Sequence, residues 1–203
     1  KLSSLSYLNS KKTEVPSCKV KDLIAHNKDL IMLTGNYKDF FGKLYQSNKL
    51  KNIDEIVNSI KSHFPGRFYY EIQRHNENEE KNFENYLLNS SNFLNIPIIA
   101  TQEVFYINKE MFEAHDALIC IGEKSFIDDK NRFKLSDQHF LKKQEEIVKI
   151  YSDIPEALEN NYNFHLRFNF KPKRSKPILP SIANNQNKSP EEELKTQARD
   201  GLK

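Results

Sequence analysis

With 203 residues, the chain is long enough for one sizeable core, or for one domain and part of another. Its 31 basic and 28 acidic residues leave a net charge of +3, a near balance that permits nucleic-acid contact without arguing for it. No stretch approaches the ~18 apolar residues of a membrane span, no signal-peptide core opens the chain, and Cys18 and Cys120 have no zinc-like spacing, so a cytoplasmic protein with free thiols is expected.

The chain starts at Lys1 in mid-pattern and reads as cut from something larger. Residues 1–29 are polar apart from Val20, Leu23 and Ile24. Residues 30–33 form the first apolar strand, which stops at Thr34-Gly35-Asn36, and a helical pattern starts near Lys38. Ile53, Ile56, Val57, Ile60 and Phe64 recur at helical spacing, and Pro65-Gly66 ends that helix. Residues 67–72 are aromatic-rich and read as a strand. Residues 79–94 give a helix with Phe83, Tyr86, Leu87 and Leu94 on one stripe, and residues 96–100 are apolar on both faces. Strand, two helices, strand, helix, strand is a βαβ series, so an α/β fold with parallel strands follows. Asn36, His75 and Glu103 then fall at one end of the sheet, the end at which such folds present functional groups.

Beyond Glu103, the spacing predicts a helix with Met111, Ala114, His115 and Leu118 inward, then a polar loop over 128–132. It next predicts a charged helix over 137–151 with Phe140, Ile147 and Ile150 inward. Ser152 or Asp153 is placed to cap the following helix, with Pro155 in its first turn. A Pro- and Lys-rich linker with an Asn/Gln-rich end leads to Ser189-Pro190-Glu191-Glu192, the pattern of a capping box opening a last helix.

The chemistry carried on this frame is sparse. Glu71 and His75 can serve as an acid/base couple only if the chain turns sharply at Arg74, because four residues of strand span ~13 Å. Otherwise they are a strand-edge carboxylate and a positioned loop histidine. Glu103 stands where a metal-binding carboxylate is expected, but one carboxylate is no site. His115-Asp116 reads as a hydrogen-bonded structural pair. Lys171, Lys173, Arg174 and Lys176 suit DNA phosphate contacts or a solvated connector.

Five runs then carry a resemblance. They are Leu30-Ile31-Met32-Leu33-Thr34-Gly35, Tyr70-Glu71-Ile72-Gln73-Arg74-His75, Ile96-Pro97-Ile98-Ile99-Ala100-Thr101, Glu113-Ala114-His115-Asp116-Ala117-Leu118-Ile119-Cys120-Ile121, and Tyr151-Ser152-Asp153-Ile154-Pro155-Glu156-Ala157-Leu158. In order and spacing the chain resembles the alpha subunits of bacterial replicative (family C) DNA polymerase III, over the C-terminal part of their PHP domain. The resemblance implies a partial PHP-type distorted (βα)7 barrel over residues 1–168, a linker over 169–189 and, over 190–203, the first helix of the polymerase palm region.

The resemblance further implies ligand positions at Asn36, Glu103 and Phe105, where intact sites carry Cys, Asp and His. Phenylalanine cannot coordinate a metal and Asn is a weak substitute for thiolate, so a degenerate site with no metal and no catalytic residue in this segment is expected. The implied function is that of a scaffold in a DNA-directed DNA polymerase, a nucleotidyltransferase of DNA replication that uses Mg2+. Its palm carboxylates would lie beyond Lys203, which leaves this segment inactive alone. The implied partners are the rest of the alpha subunit, the proofreading exonuclease subunit and DNA, with no membrane. A metal-dependent PHP phosphoesterase or exonuclease is the alternative. A half barrel should also expose an apolar sheet edge and tend to aggregate.

Overall fold

The structure is a computed structural model that describes residues 1–11, 14–47, 50–177 and 189–202, with only the backbone at 50–52. The linker stretch 178–188 and the last residue of the predicted terminal helix lie outside the described residues. The chain divides into two units, Lys1–Arg167 and Phe168–Lys203.

In the first unit, β1 (Met32–Leu33), β2 (Phe68–Ile72) and β3 (Ile98–Ala100) form a parallel sheet in the order β1-β2-β3. Met32 aligns with Phe68 and Leu33 with Tyr69, while Tyr70, Glu71 and Ile72 align with Ile98, Ile99 and Ala100. The α/β reading with consecutive parallel strands therefore holds. α1 (Leu2–Asn9) and α2 (Val20–Ala25) occupy the segment read as mostly polar. α3 (Phe40–Gln46) and α4 (Leu50–His63) connect β1 to β2, and α5 (Glu80–Leu94) connects β2 to β3.

The side chains of a strand alternate between faces. Phe68, Tyr70 and Ile72 of β2 join Ile98 and Ala100 of β3 in the main core, together with Ile53, Val57 and Ile60 of α4 and Phe83 and Leu87 of α5. Each such aliphatic or Phe side chain contributes about 1.5–3 kcal/mol of burial. Pro65 and Gly66 end the helical run as expected; Gly66 has φ +64° and the Arg67 N–H closes the turn onto the Phe64 carbonyl. Glu71 and Tyr69 point to the other face, where the Tyr69 ring meets Phe164 edge-on and its hydroxyl accepts from Arg167.

The free edge of β3 is closed by amide side chains. Asn161 accepts from the Ala100 N–H at 3.1 Å and donates to the Ala100 carbonyl, and Asn160 donates to the Ile98 carbonyl at 2.7 Å. Both come from α8 (Pro155–Phe164), preceded by α6 (Phe112–Glu123) and α7 (Gln144–Ile150). The exposed apolar edge expected of a half barrel is thus absent at β3.

Three local expectations are corrected. The helix expected over 137–151 begins only at Gln144; Phe140 instead lies in extended chain, bridged in parallel to Tyr106. α8 does carry Pro155 in its first turn, but Ile154 is its N-cap and no side chain caps it, because Asp153 is engaged by Arg74. α6 exposes Met111 before it, and Ala114 and Leu118 within it; Asp116 and Cys120 are its buried residues.

In the second unit, residues 168–177 have no regular structure, and α9 (Pro190–Asp200) follows. Ser189 caps α9 as its sequence predicts. The Glu192 N–H donates to Ser189 Oγ at 3.3 Å, and the Ser189 N–H donates to the Glu192 carboxylate at 3.0 Å.

Candidate functional site at the carboxyl end of the sheet

Asn36, His75 and Glu103 all follow the carboxyl ends of their strands, as the βαβ reading requires. Glu71 ties those ends together. Its carboxylate accepts from the Gly35 N–H at 3.0 Å, from Thr101 Oγ1 at 2.5 Å and from Gln73 Nε2 at 3.1 Å. The Glu71 N–H in turn donates to Thr34 Oγ1 at 2.9 Å. Gly35 sits at φ +77°, and a Cβ there would collide with the Asp39 side chain 2.5 Å away, so only glycine brings this N–H to the carboxylate.

Asn36 is spent on its own turn. Its N–H donates to Asp39, its Oδ1 accepts from the Lys38 N–H at 2.8 Å, and its Nδ2 donates to Gln73 Oε1 at 3.2 Å. Asn36, Glu71, Gln73 and Glu80 line a cavity of about 10 Å³, room for a single water.

Glu71 and His75 do not meet as an acid/base couple. His75 is 2% exposed and has different partners: its N–H donates to Glu80, its Nδ1 lies 3.3 Å from Glu80 Oε1, and its Nε2 accepts from the Glu103 N–H at 3.2 Å. Since Nε2 accepts, Nδ1 carries the proton toward Glu80. Arg74, just before it, grips Glu84 and Asp153 and donates to the Ile150 carbonyl, with its guanidinium 5.0 Å from the Tyr151 ring centre. These bonds hold the Arg74 guanidinium charge above its ordinary range.

Sequence reasoning missed His139, which lies in extended chain outside any motif. It is 1% exposed and stacks on His75. Nδ1 donates to the Glu103 carbonyl at 3.1 Å, and Nε2 lies 3.3 Å from Glu77 Oε1. Burial and the neighbouring His75 push His139 below the usual imidazole range, against the opposing pull of Glu77. Burial alone would raise Glu77, but hydrogen bonds from Lys38 and Tyr37 outweigh it and hold the carboxyl below its ordinary value.

Phe105 lies against His115 and His139, with ring centroids 5.3 and 5.4 Å away. Glu103 is half-exposed, its carboxylate 3.8 Å from His139 Nδ1. A metal centre does not fit this donor set: the Asn36 amide is committed, Phe105 offers no lone pair, and the ring nitrogens of both buried histidines are taken up by protein partners. Among the described residues no group of three His, Cys, Asp or Glu side chains is placed to hold a metal.

His115 and Asp116 do not pair with each other. Asp116 is held by Arg132 through two 2.6 Å bonds, which lower its carboxyl, while the buried Nδ1 of His115 has no hydrogen-bond partner. Cys18 is exposed and Cys120 buried, both as free thiols. Lys171, Lys173, Arg174 and Lys176 are exposed in the irregular part of the second unit. No helix among the described residues is long and apolar enough to cross a membrane.

No family model matches the chain. Among curated proteins it is similar to polymerase subunits along its whole length. It is 32% identical over 202 residues to the DNA polymerase III subunit alpha of Caulobacter vibrioides, a match covering 100% of this chain and 18% of that protein. The Rickettsia bellii subunit is 30% identical over 100% of this chain and 17% of its own length. The Pseudomonas fluorescens subunit is 34% identical over 76% of this chain and 13% of its own. The chain therefore spans less than a fifth of these relatives. These matches relate the chain to polymerase subunits. It is a homologue of one segment of the DNA polymerase III alpha subunit.

Proposed function

We propose that this chain is a segment of the catalytic subunit of a replicative DNA polymerase, and that it works there as a scaffold. On this reading residues 1–168 are the C-terminal part of a PHP-type barrel, 169–189 a linker and 190–203 the first helix of the palm region. The barrel segment braces the polymerase in the cytoplasm and docks the proofreading exonuclease subunit. Mg2+ would serve nucleotidyl transfer at palm carboxylates elsewhere in the alpha subunit. Lys171, Lys173, Arg174 and Lys176 would touch DNA phosphates.

The observation that carries the scaffold reading is the self-satisfied strand-end face. Asn36, Glu71, His75 and His139 spend their polar atoms on neighbouring side chains and on the backbone, and at position 105 a phenylalanine ring lies against His115 and His139. Such a face holds a shape and offers no open coordination position.

Two measurements test it. The purified exonuclease subunit of the same organism should bind the immobilised chain saturably, and loss of that binding at every concentration would sink the docking role. Elemental analysis after dialysis should find zinc and manganese well below one per chain. Stoichiometric metal with phosphoesterase activity would instead favour the metal-dependent alternative. The combined change Asn36→Cys, Glu103→Asp and Phe105→His should raise zinc retention above that of the parent chain.

A further inference from the structure

α6 is built inside out. At the helical repeat of about 3.6 residues, Ala114, Ala117, Leu118, Ile121 and Gly122 share one face, and that face carries no formal charge. It is the face turned to solvent: Leu118 is 63% and Ile121 75% exposed, and Phe126, just past the C-cap, is 78% exposed. The charged residue of the helix centre, Asp116, points the other way into its buried bonds with Arg132. An uncharged exposed helix face of this kind marks an interaction surface.

The charges that rim this face show what it fits. Glu113 and Lys124 stand at opposite ends of α6, about 16 Å apart along the axis, both on the Ala117 side of the stripe. Among the described residues, neither side chain has a hydrogen bond or ion pair.

We propose that this face pairs with the same face of a second copy of the chain, α6 against α6, antiparallel about a two-fold axis. The two-fold reverses the helix while keeping each flank on its own side. Glu113 of each copy therefore meets the partner's Lys124, and the contact is made twice. A parallel two-fold pairing would carry that flank to opposite sides of the contact and leave both charges without a partner. Leu118 and Ile121 supply the apolar centre, and Ala114, Ala117 and Gly122 let the backbones approach. One short helix per copy gives a contact of the small class, below ~1,200 Å² in total, so association is weak and depends on concentration.

Sedimentation velocity of the whole 203-residue chain over a wide concentration range tests this. The average mass should climb from 23.9 kDa toward twice that value, and less steeply at high salt. Ile121→Asp, at an exposed position, should keep the circular dichroism of the parent and abolish the climb. Glu113→Lys and Lys124→Glu should each weaken association about tenfold, and the two together should restore it. A mass that stays at one chain at every concentration overturns the proposal, as does a double swap no better than either single change. Parent-like association of Ile121→Asp also overturns it.

Discussion

The rings of His75 and His139 lie parallel, 4.1 Å between centroids and 3° between planes. Burial first, and then the repulsion a second charge would meet from His75 at that spacing, hold His139 below the usual imidazole range. The lowered His139 value makes this a stability statement, because the unfolded chain takes up its proton at a higher pH than the folded one. Stability from His139 should be fully present above the ordinary value of 6.5 and be lost as pH falls through the lower folded value. Glu77, also lowered, adds a second loss in the same direction below its ordinary 4.5. Urea titrations from pH 8 to pH 4 should therefore show falling stability. His139→Gln should flatten the upper part of that fall, and an unchanged slope in this variant would falsify the assignment.

Arg74 joins α5, through Glu84, to the end of α7, through the Ile150 carbonyl, and to the turn before α8, through Asp153. Arg74→Ala leaves the mostly buried Glu84 carboxylate unpaired, at a cost of about 2–3 kcal/mol. Arg74→Lys should recover only part of it, since an ammonium cannot reproduce two forked pairs. Asp153→Ala, at the exposed end, should cost less than about 1 kcal/mol. Chemical denaturation of the three variants gives the order directly.

Asn161 stands in for a strand along β3. Asn161→Leu would leave the Ala100 N–H and carbonyl without that partner, costing about 1–3 kcal/mol for each group that stays buried. It would also open an edge to pairing with other chains. Light scattering during incubation at 37 °C should rise for this variant. Asn163→Ala, which removes only an exposed bond to the Glu159 carbonyl, should behave like the parent.

The Ser189 cap predicts a local effect. In a peptide of residues 187–203, Ser189→Ala should lower helicity by the equivalent of about 1 kcal/mol, while Asn187→Ala should leave it unchanged. Equal losses in the circular dichroism of both peptides would remove Ser189 from the capping role.

Where local pattern and tertiary burial agree, the fold was legible in advance. The stripe of α4, the apolar strands β2 and β3, the Phe83–Leu87 face of α5 and the capping box of α9 follow from spacing and turn chemistry alone. The rest depends on partners distant in sequence. Apolar residues of α6 were expected inward, but Asp116 takes that side because Arg132 compensates its charge. Residues 137–143 read as helical, yet the His139 carbonyl accepts from the Phe105 N–H, and that long-range bond holds the segment extended. Asp153 looked like a cap until Arg74 claimed it. At the strand ends, the positions of Asn36, His75 and Glu103 were readable from the βαβ order. The contribution of His139 was not, because nothing local distinguishes a lone histidine in a polar segment.

The Glu71 carboxylate touches the ends of all three strands at once, which has a kinetic consequence. The Gly35, Glu71 and Thr101 amides are bonded respectively to the Glu71 carboxylate, to Thr34 Oγ1 and to the Ile72 carbonyl. Opening any one of the three turns disturbs the anchor shared by the others, so these amides form one cooperative opening unit. In hydrogen exchange they should trade deuterium at a common rate. Glu71→Gln, which sets an amide where a carboxylate accepted from three donors, should accelerate all three together.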